Sequence, residues 1–188
     1  PAGILVEGFD EPSTMATIYN HAYYPAHLEA LGYGKDTDWV EYEITVPEKP
    51  DEKISRLAAI IMRREELRLL EIKNKKDMLA RAGEVFAVFN ETYQNLYGYI
   101  PLNDRQIAGY TRQYFDFLKP EFVPVVVNRE GKIVAFGIAM PSLTRAMQKA
   151  GGSLYPFGFI HLLRALKKND GADLYLIAVV PEYQGKGV

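Results

Sequence analysis

Gln184, Gly185, Lys186 and Gly187 follow a proline and an apolar run, Leu176-Ile177-Ala178-Val179-Val180-Pro181-Glu182-Tyr183. Such a run reads as a strand, the proline as its stop, and the glycines as the place where the backbone turns toward a helix start. Unpaired N–H groups at such a turn form an anion cradle, and residues without a Cβ let the backbone approach a phosphate closely. Lys186 adds a cation, unless its side chain points into solvent.

Two phosphate loops are excluded or weakened by spacing. A P-loop needs Gly five residues before its Gly-Lys pair and Ser or Thr after it; Val180 and Gly187 stand there. A dinucleotide fingerprint starting at Gly185 needs a third Gly past residue 188 and a turn directly off a parallel strand, whereas Pro181, Glu182, Tyr183 and Gln184 intervene.

The elements that must position this turn are legible upstream. Residues 122–127 and 132–140 are β-rich and joined by Asn128-Arg129-Glu130-Gly131, a hairpin signature. Residues 174–180 form a continuous apolar run that predicts a buried strand, giving hairpin strands and this one as neighbours in that order. Before the hairpin, Asn74 or Asp77 caps a long helix with Met78, Leu79, Ala82, Val85, Phe86 and Phe89 as its inward stripe. Asn103 or Asp104 caps the next helix, with Ile107, Tyr110, Tyr114 and Leu118 inward. Residues 142–150 and 159–168 read as short helices around Gly151-Gly152.

The N-terminal part reads differently. An apolar segment at 4–9 ends in a Gly/Asp/Pro turn, followed by the aromatic loop Tyr19, Asn20, His21, Tyr23 and Tyr24. Pro25 opens a short helix over 26–31, closed by Gly32. Residues 39–46 alternate, with Val40, Tyr42, Ile44 and Val46 on one face, which predicts a half-buried strand. Pro47-Glu48-Lys49-Pro50-Asp51 reads as a linker, then a helix with Ile54, Leu57, Ala58 and Ile61 at helical spacing, then turn and strand over 65–72.

With these elements in order, the turn resembles the pyrophosphate loop of the GNAT acetyltransferases, Gln/Arg-x-x-Gly-x-Gly/Ala. Gln184, Gly185, Lys186 and Gly187 match its first four positions and Val188 its fifth. The chain is further similar to bacterial proteins that carry two GNAT-like domains in tandem. Gly8-Phe9-Asp10-Glu11-Pro12 and Tyr19-Asn20-His21-Ala22-Tyr23-Tyr24 resemble segments near the end of that family's first domain. Gly98-Tyr99-Ile100-Pro101-Leu102, Gly151-Gly152-Ser153-Leu154-Tyr155-Pro156-Phe157-Gly158 and the glycine turn resemble blocks of its second. Two departures stand out: Pro141-Ser142-Leu143-Thr144 replaces the family's Pro-Asp-x-Asn, and Ala178 stands where Gly is frequent.

The resemblance implies an α/β (α+β) GNAT-like fold, a mixed and largely antiparallel sheet flanked by helices and incomplete at both ends. Residues 1–46 would be the tail of a first domain, 47–68 a linker and connecting helix, and 69–188 the first two-thirds of a second. It implies an N-acyltransferase that moves an acyl group from acetyl-CoA or another acyl-CoA to an unidentified amine by direct attack. A catalytically silent module that binds CoA or a protein partner is the alternative, and nucleotide binding through the glycine turn a third. Carried over by residue, Ile177, Ala178 and Val179 would line the pantetheine arm, and Gln184, Gly185, Lys186, Gly187 and Val188 the phosphates. A backbone N–H of that strand would stabilise the oxyanion. No catalytic side chain is assigned.

Other residue types point less far. Tyr97 and Tyr99 are candidates for an acceptor pocket, though aromatic clusters at helix ends also serve as core or rim packing, as Tyr19, Tyr23 and Tyr24 would. His21, His27 and His161 lack metal-site spacing, so no metal is expected. Arg63, Arg64, Arg68, Lys73, Lys75 and Lys76 are interspersed with Glu65, Glu66 and Glu71 and read as a solvated face. With 22 basic against 24 acidic residues, the chain has no whole-molecule attraction to nucleic acid or anionic lipid; a polyanion binder would need a local basic patch. No apolar run reaches membrane-spanning length, and the absence of Cys removes disulfides and thiolate chemistry, which fits a cytoplasmic protein. The expectation is therefore no nucleic-acid and no membrane partner.

Overall fold

Caps written into the sequence set the helix starts. Asp51 Oδ1 accepts from the N–H groups of Lys53 (2.7 Å) and Ile54 (3.4 Å), and Asn74 Oδ1 from that of Asp77 (3.0 Å). Asn103 and Gln106 form a reciprocal capping box. In this computed structural model, which describes residues 3–115 and 118–188, the elements run α1 (Tyr24–Ala30), α2 (Glu52–Arg64), β1 (Arg68–Leu69), α3 (Lys75–Tyr93), α4 (Asp104–Tyr114), β2 (Val125–Val127), β3 (Ile133–Pro141), α5 (Thr144–Lys149), α6 (Gly158–Lys167) and β4 (Ala172–Val179). Single 3-10 turns lie at Pro120–Phe122 and Pro181–Tyr183. The chain is mixed α and β, and the described residues form one four-stranded sheet ordered β1-β2-β3-β4.

The chain divides into two compact units: one of residues 1–46 with 141–171, the other of 47–140 with 172–188. In the second unit β1 pairs antiparallel with β2, and β2 with β3, with a register shift between Val126 and Val127. Val180, just past β4, donates its N–H to Val134 O (2.9 Å) near the start of β3, and Ser142, just past β3, donates to Gly171 O (2.9 Å) just before β4, so β4 also runs antiparallel to β3. The predicted neighbour order of the hairpin and the third strand is thus the observed one. The hairpin turn closes through Asn128, whose Oδ1 accepts from Lys132 N (2.9 Å). Its first strand is shorter than expected because Pro120 and Pro124 lack N–H groups and the chain coils before Val125.

The core of this unit is the aliphatic interior of the sheet, Val125, Val127, Ile133, Val134 and Phe136, covered by Met78, Val88 and Phe89 of α3 and closed by Leu67, Val123, Ala178 and Val180. Two inward stripes differ from expectation, and the α2 stripe is exposed as well. Leu79 is exposed on α3, while Val88, which follows it by nine positions and breaks the predicted stripe, is buried. Tyr110 and Tyr114 lie on the exposed side of α4, stacked on each other at 6.2 Å. Ile54 and Leu57 of α2 are exposed, and no residue of that helix is buried. Helical spacing marks which residues share a face, and burial depends on whether a neighbour covers that face. β4 is likewise half-covered: Ala178 and the following Val180 are buried while Leu174 and Ile177 are exposed, because the described residues cover one of its faces and the continuous apolar run predicted full burial.

In the first unit, Asn20 imitates a strand neighbour, its Oδ1 accepting from Leu5 N (2.6 Å) and its Nδ2 donating to Leu5 O (3.2 Å). Tyr19 donates its hydroxyl to Phe9 O (3.0 Å), and Thr144 its hydroxyl to Ser13 O (3.4 Å). α5 and α6 occupy the two predicted helical stretches beside Gly151-Gly152. The predicted strand at 39–46 is a correction: the segment carries no ladder, and Tyr42 and Ile44 are each 79% exposed. A period of two encodes a surface that needs a partner strand, and no described residue supplies one.

Candidate functional site

At the C-terminal end of β4 the pleat sorts the residues. Ala178 and Val180 turn their side chains into the core, at 4% exposure each, while Ile177 is 62% exposed. Because Val180 N–H points to Val134, the backbone groups of even-numbered residues here face β3, and those of Ile177 and Val179 face the open edge. Both open-edge carbonyls are taken by side chains. Tyr93, in the last turn of α3, donates its hydroxyl to Ile177 O (2.9 Å), and Gln184 donates Nε2 to Val179 O (2.8 Å). Of the three strand candidates, Ile177 and Val179 therefore present backbone to the edge, and Ala178 packs inward.

The turn beyond is built from overlapping short bonds. Tyr183 N donates to Val180 O (2.9 Å), Gln184 N to Pro181 O (3.2 Å) and Lys186 N to Tyr183 O (3.3 Å). Gly185 and Gly187 take φ of +73° and +87°, values that glycine adopts without penalty. Among the described residues none accepts from the N–H of Gly185, Gly187 or Val188. These three donors, on a turn with two left-handed glycines, have the character of an anion nest.

The end of α2 lies against this turn. Arg64 donates Nη2 to Lys186 O (3.1 Å), and its Nε to Glu65 Oε1 (2.7 Å). Lys186 Nζ sits 3.3 Å from Glu65 Oε2 and 4.9 Å from the centre of the Tyr183 ring. Lys186 is thus held by an ion pair and a ring face rather than loose in solvent. The bond from Arg64 holds the Glu65 carboxyl below its ordinary range, with Lys186 adding to the effect and partial desolvation opposing it. Glu182 is exposed and makes no bond in the turn. Arg64, Glu65 and Tyr93 carry no local motif that marks them: they reach the turn and the strand from 122 and 84 positions away for Arg64 and Tyr93.

The aromatic candidates separate. Tyr97 is exposed, whereas Tyr99 donates its hydroxyl to Asn90 Oδ1 and packs on Phe89 and Tyr93, at 5.4 and 5.8 Å between ring centres. Burial raises the Tyr99 phenol above its usual value. In the other unit, Ile4, Ile18, Tyr19, Asn20, His21 and Tyr24 line an open cavity of about 420 Å³. Among the described residues no cluster of three His, Asp or Glu is arranged to hold a metal, and no helix is long and apolar enough to cross a membrane.

No family model matches the chain. Over 97% of its length it is similar to the protein YghO of Escherichia coli K12, with 27% identity, and to a bacterial ceramide synthase of Caulobacter vibrioides, with 25% identity. The chain spans about half the length of these curated relatives, 47% in each case.

Proposed function

We propose that this chain belongs to an acyl-CoA-dependent N-acyltransferase with a GNAT-like fold. The observation that carries this reading is the open edge of β4 running directly into a glycine turn with three unpartnered N–H groups. An extended ligand with carbonyl oxygens at one end and a pyrophosphate at the other fits that order of backbone donors. Arg64 and Lys186 bring two cations to the turn, balanced by the carboxylates of Glu65 and Glu182, so the pull on an anion there comes from the backbone N–H groups. The relative named bacterial ceramide synthase supports the same chemistry, because a ceramide is the amide of a fatty acid with a long-chain amino alcohol.

In the proposed reaction the acceptor amine attacks the thioester carbonyl. A C–N bond forms, the C–S bond breaks, and the proton shed by the amine goes to the departing thiolate. The residues in hand position the donor, and the edge N–H groups of Ile177 or Val179 face the charge that develops on the carbonyl oxygen.

The test is thioester cleavage by the full-length protein with acetyl-CoA and long-chain acyl-CoA, each against short amines and a long-chain amino alcohol. Amine-dependent release of CoA is the expected result. Tight CoA binding without turnover for any acceptor would replace the enzyme with a binding module, and competition by ATP or NAD would point to a nucleotide site instead.

A further inference from the structure

An open strand edge ordinarily alternates donors and acceptors, which makes it a template for another strand. The edge of β4 departs from this. Its two outward carbonyls near the turn, Ile177 O and Val179 O, are both capped by side-chain donors, Tyr93 Oη at 2.9 Å and Gln184 Nε2 at 2.8 Å. The caps come from different elements, one from α3 and one from the turn itself, and they fall on alternate residues, which is the period of the outward-facing backbone. What remains outward at these two residues is N–H.

We infer that Tyr93 and Gln184 are positioning residues that convert this edge into a row of donors, continuous with the unpartnered N–H groups of Gly185, Gly187 and Val188, selective for a ligand that presents carbonyl and phosphate oxygens. The inference rests on the acyltransferase reading and adds to it the residues that give the edge its polarity. Two uncapped carbonyls beside the N–H groups would repel the oxygen of a thioester or amide, and would offer an incoming strand the alternation it needs. Tyr93 is itself fixed by packing, with ring centres 4.3 Å from Phe89 and 5.8 Å from Tyr99, so its hydroxyl is aimed before any ligand arrives.

The experiment compares two ligands on the full-length protein by calorimetry: CoA, and adenosine 3′-phosphate 5′-diphosphate, which carries the phosphates without the pantetheine arm. Tyr93→Phe removes the hydroxyl and keeps the ring; Gln184→Met removes the donor and keeps the length. Each variant is expected to weaken CoA about tenfold, the scale of one hydrogen bond, and Tyr93→Phe, on α3 and outside the glycine turn, to leave the nucleotide within about twofold. Equal loss for both ligands in Tyr93→Phe would make the caps merely structural and overturn the inference, as would unchanged CoA affinity. If the unaltered protein binds neither ligand, the acyltransferase reading itself falls. Should Tyr93→Phe fail to fold, Gln184→Met decides through its CoA affinity, where an unchanged value overturns the inference.

Discussion

The Cδ1 of Ile61 lies 2.7 Å from where a Cβ on residue 187 would stand, so the tip of one α2 side chain occupies the space that only glycine leaves free. The clash alone is cheap, since an isoleucine tip can swing. The backbone is the larger obstacle: φ of +87° at Gly187 is a conformation L-residues adopt at a cost of about 1–2 kcal/mol. Gly187→Ala is expected to lower stability by about that amount in a denaturant melt and to weaken CoA at least tenfold, because the turn relaxes to negative φ. The double variant Ile61→Ala/Gly187→Ala separates the causes. It should remain as weak as the single one; recovery would show that crowding, and not backbone conformation, makes residue 187 a glycine.

Asn90 links α3 to the segment before α4. Its Oδ1 accepts from Leu102 N (2.9 Å) and from the Tyr99 hydroxyl, and its Nδ2 donates to Leu102 O (2.9 Å). Replacing it with Ala leaves a partly buried N–H, a carbonyl and a phenol without partners. Asn90→Ala is expected to cost about 2–3 kcal/mol, and Tyr99→Phe only about 1, since Phe keeps the ring packing. Chemical denaturation of both variants checks the order. A larger loss for Tyr99→Phe would mean that the phenol, and not the amide, holds this corner.

How much of this was legible in the sequence depends on whether the signal was local. The caps of α3 and α4, each narrowed to two residues of which Asn74 and Asn103 serve, the Asn128 turn and the strand order were readable, because each is decided by residues within a few positions or by the apolar run itself; Asp51 was read only as the end of a linker. The glycine turn was readable for the same reason. The partners of that turn were not: nothing near Tyr93 says that its hydroxyl meets Ile177 O, and nothing near Arg64 says that it meets Lys186 O. Burial failed wherever a face needs something beyond its own element. The α2 stripe and residues 39–46 have the pattern of covered surfaces and stand exposed, and β4 is half-covered because the described residues cover one of its faces.

Trp39, the single tryptophan of the chain, reports on that exposed segment directly. At 67% exposure its emission is expected near that of a water-exposed indole and open to quenching by iodide. Polar changes at Tyr42 or Ile44, each 79% exposed, should move stability by no more than about 0.5 kcal/mol. The measurement is repeated on the longest available form of the protein. Blue-shifted, unquenchable emission there would show that further chain covers residues 39–46 and that their alternating pattern is used after all.

Glu65 gives the pH prediction. Its folded pKa is lowered, first by the bond from Arg64 Nε and secondarily by Lys186, against partial desolvation. A depressed carboxyl stabilises the fold above its unfolded value of about 4.3, and that contribution fades as pH falls through the folded value. Carboxyl-carbon NMR titration should therefore place the Glu65 midpoint below that of the same residue in the unfolded chain, with Arg64→Met raising it more than Lys186→Met. The same carboxylate holds Lys186 beside the glycine turn at 3.3 Å, competing with any phosphate for that cation. Glu65→Gln, which keeps the shape and removes the charge, is accordingly expected to bind CoA tighter by about twofold to fivefold at neutral pH, the scale of an exposed charge pair. The gain should shrink as salt rises, because the removed repulsion is screened. Weaker binding by Glu65→Gln would reverse the argument: the carboxylate would then serve the site by holding Lys186 in place, and its charge would be a support for the cradle rather than a competitor for its ligand.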